Sequence, residues 1–584
     1  MSENQSNSNN DDKIKKVNPN KKYKKVSKKN AAVNPARVGH AIRRTVISLS
    51  MLFVIAVLIS YAPNYVVESK TEMPKLIINN NNITRSLKNE IVKVDGEYYL
   101  STDDLKNFFD EYLIKTDNEV ITTSDTKTAK LTLDSNTMYL NGQNVSCQKL
   151  VNQNSKMYIS LKDAATIYNL EYKINEKKNN IVISSLNRKL VQGESKKTQY
   201  VKYMATNISR DLEKIKAGEK FYISQENGSD VKIKDWVRIR TEDGVIGYIK
   251  ESNIVNEKDV REDAKYTKIN GKVSLVWDYY TQYNSAPTRT EKIDGVNAVS
   301  PSFYELKKDG TIAKNINEAS RKYIEWAHSN SYQVWPTLSN SFLNNLDAVS
   351  AMMQTFETRS KLIDNIVQAL TESDVDGVNI DFENMYKEDK DKYSRFIIEL
   401  TPRLRAVGKT VVVDVTAPDG SDTWSQCYDR NTLGKVADYL VFIGYDQHNA
   451  SSKEAGSVDS SDWVELNIKK FLGQEGVSKD KLIVAMPFYT RLWRETNGKV
   501  KSTVVNMKDI MIPYNLEKTW DDTAKQYYIE YQKDGSTYKM WIEDATSISA
   551  RIDLINKYGL KGAGFWEKDR ETADIWAIVK EKLQ

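Results

Sequence analysis

Residues 376–385 read DGVNIDFENM, in which polar and apolar side chains alternate. Side chains along a strand point to its two faces in turn, so the three apolar residues share one face and Asn379, Asp381 and Glu383 share the other. The polar face carries two carboxylates, those of Asp381 and Glu383, about 6.6 Å apart along the backbone. Buried carboxylates need a partner, a shared proton or a chemical task. The strand therefore predicts a functional site, with a satisfied pair of core carboxylates as the alternative.

From about residue 265 the sequence alternates between strand and helix patterns. Eight runs have strand character: KVSLVW at 272, GVNAVS at 295, QVWPT at 333, GVNIDF at 377, TVVVDV at 410, YLVFIG at 439, LIVAMP at 482 and GAGFW at 562. Eight strand–helix units predict an α/β fold, a (β/α)8 TIM barrel over residues 265–584, with an insertion at 495–543 before strand eight. A doubly wound open sheet is the alternative, but no Gly-rich phosphate loop follows the first strand.

The catalytic groups of such barrels gather at the carboxyl ends of the strands. The stretch at 376–385 is the fourth strand, so we expect its polar face to point into the barrel. Glu383 then lies at the catalytic end.

Composition excludes several classes of function. The first 44 residues hold twelve Lys and Arg against three acids, a net charge of +9. Because the whole chain has a net charge of +6, the remaining residues together carry −3. The rest of the chain is therefore not a basic surface that would bind nucleic acid. Cys147 and Cys427 fall in different predicted domains, and the chain has only three His, so we expect no disulfide framework, no metal site and no cofactor.

The N-terminal region has the pattern of a membrane anchor. Residues 45–62, TVISLSMLFVIAVLISYA, are uncharged and reach the minimum length of about 18 residues for a spanning helix. The basic residues 1–44 before them predict a cytoplasmic tail, with everything after residue 63 exported. This predicts a single-pass signal anchor in the cell membrane, with the catalytic domain facing the cell wall of a Gram-positive bacterium. A cleaved signal peptide and a buried core helix are the alternatives.

Two small β-rich modules precede the barrel. Within residues 75–186, VDGEYYLSTDDLKNFF and NSKMYISLKDAATIYN form a weak repeat that runs from a strand into a helix opened by Ser or Thr. This module resembles the N-terminal domain of copper amine oxidases, which in many exported Gram-positive proteins binds no copper. Residues 190–257 contain two strands that flank Glu242, Asp243 and Gly244, a hairpin signal. Their spacing resembles a bacterial SH3 domain, and either module is expected to serve as a spacer or wall contact.

The motifs of the barrel are similar to those of a known family. DGVNIDFE resembles the DGxDxDxE signature of glycoside hydrolase family 18, the chitinase-like barrels. GYDQH from residue 444, MPFYTRLW from residue 486 and the final tryptophan of GAGFW resemble further elements of that family. The sequence pattern of the chain is most similar to that of one branch of this family, the spore-cortex and peptidoglycan N-acetylglucosaminidases.

The resemblance implies roles for eight residues. Glu383 would be the general acid and later the base. Asp381 would orient the substrate's acetamido group, whose oxygen is the nucleophile, and Tyr445 would hydrogen-bond that oxygen. Substrate contacts are further implied for Asn379, Asp446, Tyr489, Arg491 and Trp566, with the tryptophan as the floor of the pocket.

Asn379 departs from the signature, which usually has a carboxylate at this position. In the acidic version two aspartates share a proton, and an amide can replace the protonated partner by donating a hydrogen bond. We interpret this as a change that tunes the pH profile.

These features predict an anchored, retaining hydrolase of β-linked N-acetylglucosamine in peptidoglycan or cortex. A chitinase and a non-catalytic glycan-binding wall protein are the alternatives, and the presence of Glu383 favours an enzyme.

Overall fold

The computed structural model describes residues 50–51, 73–280, 285–343 and 345–584, and all statements on structure concern these residues. Residues 71–206 and 211–584 form one compact unit. The predicted basic tail, residues 1–44, lies outside the described residues.

Eight parallel strands form a closed barrel. Their bounds are Val273–Asp278, Ala298–Pro301, Gln333–Val334 continued by Thr337–Ser339, Gly377–Asp381, Thr410–Val415, Tyr439–Ile443, Leu482–Pro487 and Gly562–Trp566. The eighth strand pairs in parallel with the first, with Gly562 opposite Val273, and this pairing closes the barrel. The two halves of the third strand pair with the second and the fourth strand respectively. The predicted α/β barrel is therefore confirmed, with all eight strands in the predicted runs.

Helices cover the outside of the barrel. They are Glu318–Ser329, Leu346–Met353, Phe356–Thr371, Lys390–Ala406, Arg430–Val436, Ser461–Leu472, Ala545–Tyr558 and Ile575–Leu583. Local signals set their ends. Asp544 caps the helix Ala545–Tyr558 by accepting hydrogen bonds from two backbone N–H groups, and Gly559 ends it in the left-handed region at φ +62°.

The fourth strand separates two cores. Its apolar side chains pack outward against the helix that follows, where Phe382 stacks on Phe396 with ring centroids 6.0 Å apart. Its polar side chains point inward, to the face on which Val412 and Tyr439 of the next strands form a separate apolar cluster. The alternation in the sequence therefore corresponds to a strand buried on both faces.

The insertion between strands seven and eight is a five-stranded antiparallel sheet. Its strands are Tyr489–Thr496, Lys499–Asn506, Thr519–Asp521, Gln526–Lys533 and Ser536–Ile542. The inserted sheet begins at residue 489, earlier than the predicted 495, because the seventh barrel strand ends at Pro487. Tyr489 and Arg491 therefore belong to the insertion.

Two β-rich segments precede the barrel. The first has strands Lys75–Ile78, Asn81–Asn82, Val92–Val94, Glu97–Ser101, Ile114–Lys115, Glu119–Thr123, Thr128–Thr132, Thr137–Leu140, Gln143–Ser146, Val151–Gln153, Lys156–Ser160, Leu170–Asn175 and Asn180–Ser185, with helices Thr102–Phe108 and Leu161–Tyr168. Its repeated halves lie side by side, because Tyr158 pairs with Ser101 and Ser160 pairs with Tyr99. Each of these serines also caps the helix that follows it.

The second segment has strands Leu190–Ser195, Gln199–Lys202, Asp211–Ile215, Lys220–Ile223, Gln225–Glu226, Ser229–Asp230, Lys232–Ile233, Trp236–Thr241, Ile246–Lys250 and Ile254–Arg261. Trp236–Thr241 and Ile246–Lys250 form a hairpin. Gly244 in its turn has φ +85°, and a Cβ atom there would lie 2.6 Å from Val182 of the first segment. A glycine is therefore required at this position.

The first β-rich segment packs against the outer face of the barrel helix Lys390–Ala406. Arg395 Nη1 donates to Tyr112 O over 2.5 Å, and Thr128 Oγ1 donates to Glu399 O over 2.9 Å. Arg403 Nη1 donates to Tyr139 Oη over 2.5 Å. As a result, every residue from 393 to 404 is buried, on both faces of the helix.

Glu399 joins two arginines beneath this contact. It is completely buried and accepts from Arg359 over 2.8 and 2.9 Å and from Arg395 over 2.7 Å. We expect Glu399→Ala to lower the free energy of unfolding by about 3 to 5 kcal/mol, because it leaves buried guanidinium groups without an anion. Denaturant unfolding of the purified chain measures this change.

Glu318→Ala is the matched control. Glu318 also pairs with a cation, Lys322 at 2.7 Å, but its side chain is 81% exposed. Water screens an exposed pair of this kind, so this variant should unfold nearly as the parent does. Equal losses for the two variants would contradict the assigned role of Glu399.

The predicted membrane anchor, and with it the predicted cell-membrane localisation, is corrected by the structure. Within the described part of the chain, no helix is both long enough and apolar enough to cross a bilayer. The helix Lys390–Ala406 has 17 residues and carries many charges, whereas a spanning helix needs about 20 mostly apolar residues. Of the predicted span, only Ser50 and Met51 are described, both helical, and the remainder lies outside the described residues.

Candidate active site

A cavity of about 380 Å³ opens at the carboxyl ends of the barrel strands. Its wall includes aromatic, hydroxyl, acidic and basic side chains from the strand ends and from the insertion. They are Trp277, Tyr279, Ser302, Tyr304, Thr337, Ser339, Ser341, Asp381, Glu383, Asp414, Trp424, Ile443, Tyr445, Asp446, Tyr489, Arg491, Val504, Trp566 and Arg570. The mixture of apolar rings and convergent polar groups is typical of a binding site for a small polar ligand.

The backbone around Glu383 is held from two sides. Asn340, which follows the third strand, accepts from Glu383 N over 2.9 Å and donates to Glu383 O over 2.8 Å. Tyr428 Oη donates to Phe382 O over 2.7 Å. These bonds fix the main chain of Glu383 and leave its carboxyl group free to point into the cavity.

The acids at the end of the fourth strand, Asp381 and Glu383, both have raised pKa values. Burial raises the pKa of Asp381 to about 6. A hydrogen bond from the Ser339 hydroxyl to the Asp381 carboxylate partly offsets this rise. Burial also raises the pKa of Glu383 well above its ordinary value, and the charges of Asp381, Asp414 and Asp446 raise it further. Burial and the neighbouring acids therefore favour the protonated form of Glu383.

Asn379 lies below the cavity and does not line it. It is completely buried, and its Oδ1 accepts from Trp277 Nε1 over 2.7 Å and from Ser300 Oγ over 3.3 Å. Its Nδ2 donates to Asp414 Oδ1 over 2.6 Å. Asn379 therefore contacts the neighbouring carboxyl group and supports the floor of the site.

A second part of the cavity wall comes from the sixth strand and the insertion. Tyr489 Oη donates to Asp446 Oδ1 over 2.7 Å, and the Tyr445 and Tyr489 rings meet edge to face with centroids 6.2 Å apart. Arg491 lies two residues after Tyr489 on the same strand face, and its Nη1 donates to Ser502 Oγ over 3.0 Å. These bonds fix the polar groups of this wall before any ligand binds.

Trp566 ends the eighth strand and forms an aromatic wall. Its ring centroid lies 6.1 Å from that of Trp277 and 5.8 Å from that of Tyr279. The three rings give the cavity an apolar surface beside its carboxyl groups.

The structure brings seven of the eight predicted site residues into one cavity, all except Asn379. Sequence reasoning missed Asp414, Asn340 and Trp424. The signal for Asp414 was a single acid near the end of the strand TVVVDV, on the same inward face as Val412. Asn340 and Trp424 lie outside the strands, where no periodic pattern indicates a contact with the site.

Known proteins are similar to about half of this chain. The uncharacterized glycosylase YvbX of Bacillus subtilis is 23% identical over 329 residues, which are 54% of this chain and 94% of that protein. The cortical fragment-lytic enzyme of Bacillus anthracis is 20% identical over 321 residues, 52% of this chain and 74% of the relative. A solved chitinase from Chromobacterium violaceum is 24% identical with a TM-score of 0.47, over 53% of this chain and 99% of that one.

The family model for glycosyl hydrolases family 18 matches residues 275–571, just over half of the 584 residues. The match contains all eight barrel strands except the first two residues of strand one. The chain therefore belongs to glycosyl hydrolases family 18 and is a glycoside hydrolase.

Proposed function

We propose that the chain hydrolyses β-linked N-acetylglucosamine in peptidoglycan or spore cortex, with retention of configuration. One observation carries this proposal: Glu383 lines the cavity beside Asp381, and burial together with the neighbouring acids raises its pKa well above its ordinary value. A carboxyl group with a raised pKa beside a second acid is suited to the role of general acid.

Glu383 is the general acid. Because its pKa is raised, it can donate its proton to the glycosidic oxygen as the bond from that oxygen to C1 breaks. The resulting Glu383 carboxylate then takes a proton from the water that attacks C1. The residue thus returns to its protonated state at the end of the cycle.

The nucleophile is the acetamide oxygen of the substrate, as in the substrate-assisted exceptions to the two-carboxylate scheme. Attack on C1 forms a cyclic oxazolinium ion, whose positive charge the Asp381 carboxylate balances through the acetamide N–H. Water then opens the ring from the face that the leaving group occupied, so the configuration is retained. Tyr445, in the wall beside Asp446, donates its hydroxyl to the acetamide oxygen.

The remaining wall residues bind the sugar. The ring of Trp566 offers an apolar face to the axial C–H groups of the pyranose. The hydroxyl groups of the sugar form hydrogen bonds with Asp446, Tyr489 and Arg491. The hydrogen bond between Tyr489 and Asp446 supports this assignment, because it orients both groups in advance. A peptidoglycan or cortex substrate is supported by the relative named a cortical fragment-lytic enzyme.

Digestion of purified glycans tests the proposal. Peptidoglycan, spore cortex and chitin oligosaccharides are each incubated with the chain, and the products are identified by mass spectrometry, with NMR of the fresh products for the anomer. We expect products that end in N-acetylglucosamine, with the β-anomer formed first. Preferential cleavage of chitin would replace the substrate with that of a chitinase, and binding without cleavage would indicate a glycan-binding protein.

Removal of the acetyl group is the sharper comparison. The same oligosaccharide after N-deacetylation lacks the nucleophile, so we expect its kcat/KM to fall by at least about 10³-fold. Equal cleavage of the two substrates, or formation of the α-anomer, would contradict a mechanism in which the acetamide attacks.

A further inference from the structure

Asp414 is a buried carboxyl group that borders the cavity and has no part in the steps above. It lies on the fifth strand, which pairs in parallel with the fourth and places Val413 opposite Ile380. Asp414 and Asp381 are the next residues of these two strands. Because neighbouring strands lie about 4.8 Å apart, the two carboxyl groups stand side by side at the cavity.

A chain of hydrogen bonds fixes the orientation of Asn379 beneath this pair. The indole N–H of Trp277 can only donate, so the Asn379 atom that it meets is the carbonyl oxygen. The amide nitrogen of Asn379 therefore faces Asp414 and donates to its Oδ1. Asn379 leaves the other oxygen of Asp414 available to carry a proton.

Within the described residues of the barrel, these acids lack a balancing cation. In the described part of the barrel, no Lys or Arg forms an ion pair with Asp381, Glu383 or Asp414. The two arginines of the cavity are directed elsewhere: Arg570 pairs with Glu567 at 2.6 Å, and Arg491 donates to Ser502. Because Asp381 and Asp414 stand side by side without a cation, they cannot both be ionised, so this pair holds a proton.

The titratable groups that face Asp414 are Asp381 at the end of the fourth strand, Glu383 just after it, and Tyr393 on the helix that follows. Burial raises the pKa of Asp414 well above its ordinary value and the Asp381 charge raises it further, while the Asn379 amide lowers it. Burial also raises the pKa of Tyr393, so the phenol stays neutral. The charge of Asp381 therefore favours the protonated form of Asp414.

We propose that Asp414 is a positioning residue that stays protonated and donates its O–H to the Asp381 carboxylate, in place of the carboxyl that position 379 lacks. The family signature usually has an acid at position 379, and here the neighbouring strand supplies it. The pair then carries one negative charge, on Asp381, and no proton is gained or lost as the oxazolinium forms. The catalytic consequence rests on the proposed function, whereas the protonation state does not.

Substitutions at position 414 distinguish two roles for Asp414, that of a proton donor to Asp381 and that of an acid needed only for the structure. Asp414→Asn keeps a neutral donor, so we expect kcat/KM for an aryl β-glycoside of N-acetylglucosamine oligomers to fall less than about tenfold. The acidic limb of its pH profile should stay near pH 6, the value set by Asp381. Asp414→Ala removes the donor, so kcat/KM should fall by about 10- to 100-fold and the limb should move up by about 1 pH unit.

Exchange of the two side chains gives a second test. Asn379→Asp alone places an acid against Asp414, and the two acids then share one proton. Because this adds one negative charge beside Asp381, the acidic limb of the pH profile should move up by about 1 pH unit. The double variant Asn379→Asp, Asp414→Asn restores one acid and one amide in the same hydrogen bond. We expect it to return the limb to the parent value, which a role in packing alone does not predict.

Infrared titration of the free protein decides the protonation state without any activity. The parent should show at neutral pH a protonated-carboxyl band that disappears in Asp414→Asn. The proposal is overturned if no such band is lost, or if Asp414→Asn lowers the acidic limb by a unit or more, because either result means that Asp414 is ionised. Failure of the proposed function is recognised separately, as a parent chain that shows this band but cleaves no N-acetylated glycan.

Discussion

Replacement of Glu383 by glutamine is expected to lower kcat/KM for the natural glycan by about 10⁴-fold. The amide has nearly the same shape but cannot donate an acidic proton to the leaving oxygen or take one from water. The fold should persist, because Asn340 binds the backbone of residue 383 and not its side chain. Initial rates on peptidoglycan oligosaccharides, together with the thermal unfolding midpoint, measure both parts of this expectation.

Glu388→Gln is the matched control for this variant. Glu388 lies five residues further along and is exposed, so its replacement should leave kcat/KM nearly unchanged. If Glu383→Gln kept near-parent activity on the natural glycan, Glu383 would not be the general acid.

Replacement of Asp381 by asparagine is expected to lower kcat by about 10³-fold, the upper range for loss of one electrostatic contact to the transition state. The carboxylate is needed to hold the acetamide N–H and to balance the charge that develops on the nitrogen. KM should change far less, because this charge is present in the transition state and not in the bound substrate. Steady-state kinetics on an N-acetylated oligosaccharide give both constants.

Asp391→Asn serves as the control for Asp381→Asn, since Asp391 is an exposed acid at the start of the next helix. An Asp381→Asn variant that lost binding but kept kcat would assign Asp381 to ground-state binding. That result would contradict its role in balancing the oxazolinium charge.

The barrel was predictable because its strands are short apolar runs buried on both faces, as in Leu482–Pro487, at a spacing that leaves room for helices. Glu383 and Asp381 were predictable because one strand alternates strictly. Asp414 was harder to find, since its importance depends on which strand lies beside the fourth. That neighbour is set by the closed topology and not by local pattern.

The packing of the first β-rich segment on the barrel was not predictable from sequence. Arg395, Glu399 and Arg403 recur every four residues along their helix, a spacing that also suits a solvent-exposed face. In the folded chain all three are buried, because the segment covers them. Long-range contacts of this kind leave no periodic signal in either partner.

The most direct test of the central claim compares two leaving groups in the parent and in Glu383→Gln. The constant kcat/KM reports the steps up to the first irreversible one, here the departure of the leaving group. An activated aryl glycoside of N-acetylglucosamine needs no protonation to leave, whereas a sugar does. We predict that Glu383→Gln loses about 10⁴-fold on the natural glycan but no more than about 10²-fold on the aryl glycoside. The same loss on both substrates would contradict the assignment of Glu383 as the residue that protonates the glycosidic oxygen.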